Sequence, residues 1–154
     1  MKKIKQELLV EQADRKLARL RSVDQTTPPK RGWVFTVRQA LNMSLRQLGN
    51  RLKISAQSVK EIEMREVNGS ITIKALRDAA DALDMKLVYG SVPKGESIEK
   101  MIEKKAATLA REIVLRTSNT MNLEGQENSK ARIEKAIKSK TEEIKNKMPK
   151  YLWD

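Results

Sequence analysis

Apolar residues recur along this chain at intervals of three and four, in short stretches separated by turn-forming residues, and that spacing predicts helices. Between Lys2 and Val23, Ile4, Leu8, Leu17 and Leu20 fall roughly on one face and the rest is rich in Lys and Arg, which predicts one exposed amphipathic helix within 1–27. Thr26-Thr27-Pro28-Pro29 ends it, because paired prolines cannot continue a helix and restrict the residue before them. Four short helical patterns follow in 33–92. Val37, Ala40 and Leu41 define the first, and Ser44 caps a second in which Leu45, Leu48 and Leu52 point inward. Lys53-Ile54 makes a turn, and Ser55 caps a third helix with Val59 and Ile62 buried. Asn68-Gly69 breaks the chain before Thr72 caps a fourth, where Ile73, Leu76, Ala79, Ala80 and Leu83 repeat at three and four.

The run Lys86-Leu87-Val88-Tyr89-Gly90-Ser91-Val92-Pro93 reads as one short strand. A lone strand needs a partner, and pairing across a homodimer is one way to supply it. Pro93, Lys94 and Gly95 then form a linker. From Ser97 the chain is helical again, with Ile98, Met101, Ile102, Leu109 and Ile113 on one face, a polar break at Thr117-Ser118-Asn119, and a helix stop at Gly125. Ile133, Ala136, Ile137 and Ile144 mark a last, lysine-rich helix before Pro149. The expected fold is mainly all-α with one short strand, in three segments: a basic helix over 1–27, a four-helix unit over 33–92 and a helical region over 96–154.

With 39% apolar residues and only 3% aromatics, any core is aliphatic. The chain has no cysteine and no histidine, so it lacks the commonest general base, the most reactive nucleophile and the usual ligands of zinc and copper. That argues against an enzyme, nominates no catalytic, metal or cofactor site, and excludes disulfides. The 32 Lys plus Arg against 20 Asp plus Glu leave +12, as expected of a chain that neutralises phosphates. Cations outnumber carboxylates by nine to four in 1–35, nine to six in 36–92 and fourteen to ten in 93–154, so the excess belongs to no single tail. No run of about 18 apolar residues predicts a membrane span, and the lysine-rich start runs into Gln6 and Glu7 rather than a signal-peptide core. A cytoplasmic protein without a membrane partner is expected.

The segment from Ser44 to Glu63 has the spacing of a helix-turn-helix. Two helices at a steep angle need apolar contacts at Leu48, Leu52, Ile54, Val59 and Ile62, and a small residue at Gly49 lets them approach. The second helix would then lie in the major groove of duplex DNA. Its early positions Ala56, Gln57, Lys60 and Glu61 carry groups that read base edges, with Gln suited to adenine N6/N7 and Ala to a thymine methyl. Ser44, Arg46, Lys53, Ser55 and Ser58 are placed to hold phosphates. The stretch Leu52-Lys53-Ile54-Ser55-Ala56-Gln57-Ser58-Val59-Lys60-Glu61-Ile62-Glu63 resembles the lambda-repressor-like helix-turn-helix family, departing from its common pattern at Lys53, where Gly is usual, and at Ala56, where Gln is usual.

Beyond this unit, Thr120-Met121-Asn122-Leu123-Glu124-Gly125 matches Ser/Thr-x-x-x-Glu-Gly/Asn, the inhibitory motif of antitoxins that silence Fic-domain adenylyl transferases. On a helix Thr120 and Glu124 share one face. The whole layout resembles the mobile mystery protein A family. The resemblance is carried by the basic N-terminal helix, Pro28–Trp33, Asn68–Thr72, Leu87-Val88-Tyr89 before Val92-Pro93, Met121–Gln126 and the closing Leu152-Trp153-Asp154. It implies a Fic-domain partner of the mobile mystery protein B type. It also implies that Glu124 pairs with an arginine of that toxin and fills the space of the ATP γ-phosphate, with Thr120 and Gly125 positioning it.

Three readings follow. One is a dual-function antitoxin that binds its operator. Another is a free-standing repressor whose C-terminal helices dimerise on DNA or bind an effector. The third, a nonspecific nucleoid-type protein, predicts steep salt dependence without sequence preference. A neighbouring reading frame carrying a Fic motif favours the first.

Overall fold

The computed structural model of the chain describes residues 2–123 and 129–154. The expected inhibitory residues Glu124 and Gly125 lie outside the described residues. In chain order the elements are α1 (Lys2–Ala18), α2 (Arg21–Asp24), α3 (Trp33–Ala40), α4 (Leu45–Leu52), α5 (Ala56–Asn68), α6 (Ile73–Ala82), α7 (Ile98–Leu123), α8 (Lys130–Lys147) and a 3-10 turn (Lys150–Trp153). The fold is all-helical among the described residues. The expected strand at Lys86–Pro93 is absent there: the segment has neither helix nor strand, because no second strand pairs with it and a ladder needs two.

The chain divides into two compact units, Ser22–Gly90 and Met1–Arg21 with Ser91–Asp154. The N-terminal helix therefore belongs with the C-terminal helices, and the four-helix unit is inserted between them in sequence.

The Ser22–Gly90 unit is built around Val34, Leu48, Val59, Ala79 and Leu83, with Val37, Leu45, Leu52, Ile62 and Leu76 packed against them. Leu48 and Val59 are fully buried, each contributing about 1.5–3 kcal/mol of hydrophobic free energy. Ala40 and Leu41, which with Val37 mark α3 in the apolar pattern, are exposed, since Val34, Val37 and Arg38 take its inner face. Ser44, Ser55 and Thr72 cap α4, α5 and α6 by accepting from the amides of Gln47, Ser58 and Ala75, each at 3.1 Å.

α3 has no such residue of its own. Glu66, on α5, accepts from the amides of Trp33 (2.7 Å) and Val34 (2.9 Å), and a Cβ at Gly32 would come within 2.8 Å of that carboxylate.

The helices α3, α4, α5 and α6 end in the same closed turn. Met43 N donates to Arg38 O, Ile54 N to Gly49 O, Ser70 N to Arg65 O and Met85 N to Ala80 O, at 2.8–3.0 Å. The turns put Asn42, Lys53, Gly69 and Asp84 at positive φ, and only Gly69 is free of a Cβ there. Lys53 sits at φ 58, where a side-chain-bearing residue costs about 1–2 kcal/mol. Lys53→Gly is accordingly expected to stabilise this unit by about 1 kcal/mol, raising its thermal midpoint by about 4–8 °C. A midpoint that stays put or falls in a calorimetric scan contradicts the strain.

In the second unit α7 and α8 pack along their length around Ile102, Ala106, Ala110, Ile144 and Leu152. α7 is continuous across Thr117-Ser118-Asn119, where a break was expected. Ser118 is buried, and the hydroxyls of Thr117 and Thr120 donate back to the carbonyls of Ile113 (3.0 Å) and Arg116 (3.1 Å), so both threonines are satisfied within the helix.

α1 docks on α7 rather than standing alone. Its inner face is Val10, Asp14 and Leu17, while Ile4 and Leu8, expected on that face, are 69% and 50% exposed. Asp14 decides this phase. Its carboxylate accepts from the amides of Ile98 (2.7 Å) and Glu99 (3.2 Å), capping α7 with charge matched to the helix dipole.

Candidate functional site

The joint between α4 and α5 follows from two local facts. Ile54 N bonds back to Gly49 O and Lys53 turns left-handed, which reverses the chain within three residues. The start of α5 then lies against the middle of α4, so closely that a Cβ at Gly49 would sit 2.7 Å from Ile54 O and 3.3 Å from Ser55 C. Those are backbone atoms, which cannot move aside as a flexible side chain can. A glycine is required for the approach itself.

On α5 the buried positions are Val59 and Glu63, with Ile62 and Glu66 half-buried, so the face turned away from the core carries Gln57, Lys60 and Glu61, all exposed. Glu61 stands 3.7 Å from Arg65, an exposed pair that leaves Gln57 and Lys60 as the uncommitted groups of this face among the described contacts. Ala56 and Ser58 are half-buried at the flank of the same turn.

The residues expected to hold phosphates divide into two kinds. Arg46 and Lys53 are exposed cations. Ser44, Ser55 and Ser58 are committed to the helix ends: Ser44 forms a reciprocal box with Gln47, its own amide donating to Gln47 Oε1 at 2.8 Å, and the Ser55 and Ser58 hydroxyls are 2.9 Å apart. Their backbone positions still lie at the N-termini of α4 and α5, where the dipole favours an anion.

Behind α5 lies a feature that the apolar pattern does not announce. Arg38 Nε donates to Glu63 Oε1 (2.6 Å), Arg38 Nη2 to Glu63 Oε2 (3.2 Å) and Arg38 Nη1 to Met43 O (2.9 Å). Both side chains are buried, 6% and 9% exposed. The guanidinium thus ties α3, the turn after it and α5 together beneath the exposed stripe. The signal that reveals such a pair is phase. Arg38 shares a face with Val34, and Glu63 with Val59, so each puts a charge on an apolar face and neither is tolerable without the other.

In the other unit, Thr120 sits in the last turns of α7 with its side chain exposed. Within the two turns before it, α7 and α8 enclose a groove of about 570 Å3 lined by Ile113, Val114, Thr117, Ser118, Ile133 and Ala136, with Arg132, Lys140 and Glu143 at its edge. Lys140 and Lys147 both hydrogen-bond Glu143, at 3.1 and 2.8 Å, and Lys147 above all holds its carboxyl below the usual carboxylate range. No described helix is long and apolar enough to cross a membrane.

Neither a scan against protein-family models, nor a search of curated proteins, nor a search of solved structures returns a match to this chain.

Proposed function

We propose that the protein is the antitoxin of a Fic-type toxin pair and the repressor of its own operon. In this reading the Ser22–Gly90 unit is a lambda-repressor-like helix-turn-helix domain that binds operator duplex, and Thr120, Glu124 and Gly125 restrain the toxin's adenylyl transfer. The observation that carries the DNA-binding half is the joint at Gly49 and Lys53. It seats α5 on α4 so that Gln57 and Lys60 project from the first turns of α5, opposite the core. A helix presented in that way fits the major groove of B-DNA. Gln57 then pairs its amide with adenine N6/N7, Lys60 reaches guanine, and Ala56 packs on a thymine methyl. Arg46 and Lys53 neutralise phosphates and set the register. The inhibitory half rests on the sequence Thr120–Gly125 and on the exposure of Thr120 at the end of α7.

The test is selection of duplexes by the full chain, followed by titration of variants. Gln57→Ala is expected to weaken the selected site by about 1–3 kcal/mol and to leave nonspecific binding nearly intact. Arg46→Ala should instead weaken all sequences alike and lower the salt slope by about one. Selection that enriches no sequence defeats the repressor reading. For the inhibitory half, the neighbouring Fic-domain protein should co-purify with the chain. A selected operator without a captured toxin would leave the free-standing repressor.

A further inference from the structure

We propose that the groove between α7 and α8 is the seat of an acidic, apolar-faced helix of the toxin, resting on the antitoxin reading above. The groove floor is aliphatic, formed by Ile113 and Val114 of α7 and Ile133 and Ala136 of α8. Its edge is cationic. Arg132, Lys140 and Glu143 line it, and because Lys140 is already bound to Glu143 at 3.1 Å, Arg132 is left as its surplus positive charge.

The position matters as much as the lining. Thr117 and Ile113 precede Thr120 by three and seven residues on one continuous helix, or about 4.5 and 10 Å along its axis. A toxin surface that meets Thr120 therefore runs directly past this groove. An occupant that satisfies both the floor and the edge has apolar side chains at i and i+3 or i+4, with Asp or Glu beside them, which is the helix-in-groove mode.

Two other occupants fit less well. A second copy of this chain carries +12 and would bring cations to a cationic edge. Duplex DNA satisfies the edge but leaves the aliphatic floor without apolar partners. The acidic helix satisfies both, and its charges steer encounter with a basic antitoxin.

The experiment uses the full-length chain and the full-length toxin, titrated to a dissociation constant, with Arg132→Glu, Arg132→Lys and Ala136→Trp. Ala136 and Arg132 are exposed, and an acidic residue near the start of α8 suits its dipole, so α8 stays folded. Arg132→Glu and Ala136→Trp are each expected to weaken toxin binding about thirtyfold or more, the first by setting a carboxylate against the partner's acidic groups and the second by filling the groove floor. Arg132→Lys should retain most of it. Operator affinity, thermal midpoint and molecular mass by light scattering should stay as in the parent chain. Unchanged toxin binding in both disruptive variants overturns the proposal. So does a change in operator affinity, which would assign the groove to DNA, or a change in mass, which would assign it to a second copy. A parent chain that captures no toxin overturns this proposal together with the antitoxin reading, whereas captured toxin with tolerant variants overturns this one alone.

Discussion

Glu63→Ala is expected to unfold the Ser22–Gly90 unit, or nearly so, and with it to abolish operator binding. Removing one partner of a buried pair strands the other charge away from water, at about 3–5 kcal/mol. Here the stranded group is Arg38, 6% exposed, left with only the Met43 carbonyl at 2.9 Å to receive its five donors. A unit of this size has a total stability of only about 3–10 kcal/mol at the usual 0.05–0.15 per residue. The single change therefore removes a large share of what holds the unit together. Urea unfolding and operator titration measure it directly.

The control that isolates the cause is the double replacement of Arg38 by Met and Glu63 by Leu. It removes both charges, keeps the volume, and is expected to fall between neutral and about 4 kcal/mol more stable. A loss below about 1 kcal/mol in Glu63→Ala would show that water reaches Arg38 and that the pair is not the tie between α3 and α5. The second unit has its own core around Ile102, Ala106, Ala110 and Ile144, so toxin inhibition should survive where DNA binding is lost.

Glu124→Gly is expected to release the toxin's adenylyl transfer within a complex that stays assembled. One carboxylate is a small part of a helical interface, and its removal alone weakens association modestly. Its proposed role is nonetheless singular: there it would occupy the place of the ATP γ-phosphate beside a toxin arginine, where a desolvated and bidentate pair is strong. Freeing that place restores the productive nucleotide pose. Glu124→Asp keeps the charge and withdraws it by about one methylene, so partial release would show that reach matters as well as charge. Glu127, beyond Gly125, should be dispensable. Transfer of labelled AMP by the co-purified pair, read beside a size-exclusion trace, decides the matter. A Glu124→Gly complex that is intact and silent would mean inhibition by burial of the active site, and Thr120–Gly125 would then be a chance match.

Both experiments bear on how much of this molecule was readable from residues alone. The helices α4, α5 and α6 were legible because each begins with Ser or Thr and continues with apolar residues at three and four, so local capping and local periodicity agree. Gly49 was legible for the same reason: only a small residue fits the middle of α4 when Leu48 and Leu52 flank the joint. Several expectations failed where the deciding group lies far off in sequence. The strand at Lys86–Pro93 had suitable residues and no second strand among the described residues. The phase of α1 differs from that of its apolar pattern because Ile4 and Leu8 are more apolar than Asp14, yet it is Asp14 that meets the amides of α7 some 84 residues away. The same holds for Glu66 at the start of α3 and for Arg38 with Glu63. Periodicity ranks residues by how much they gain from leaving water. A carboxylate or guanidinium gains only when a specific opposite group waits inside, and that group is brought there by the tertiary fold.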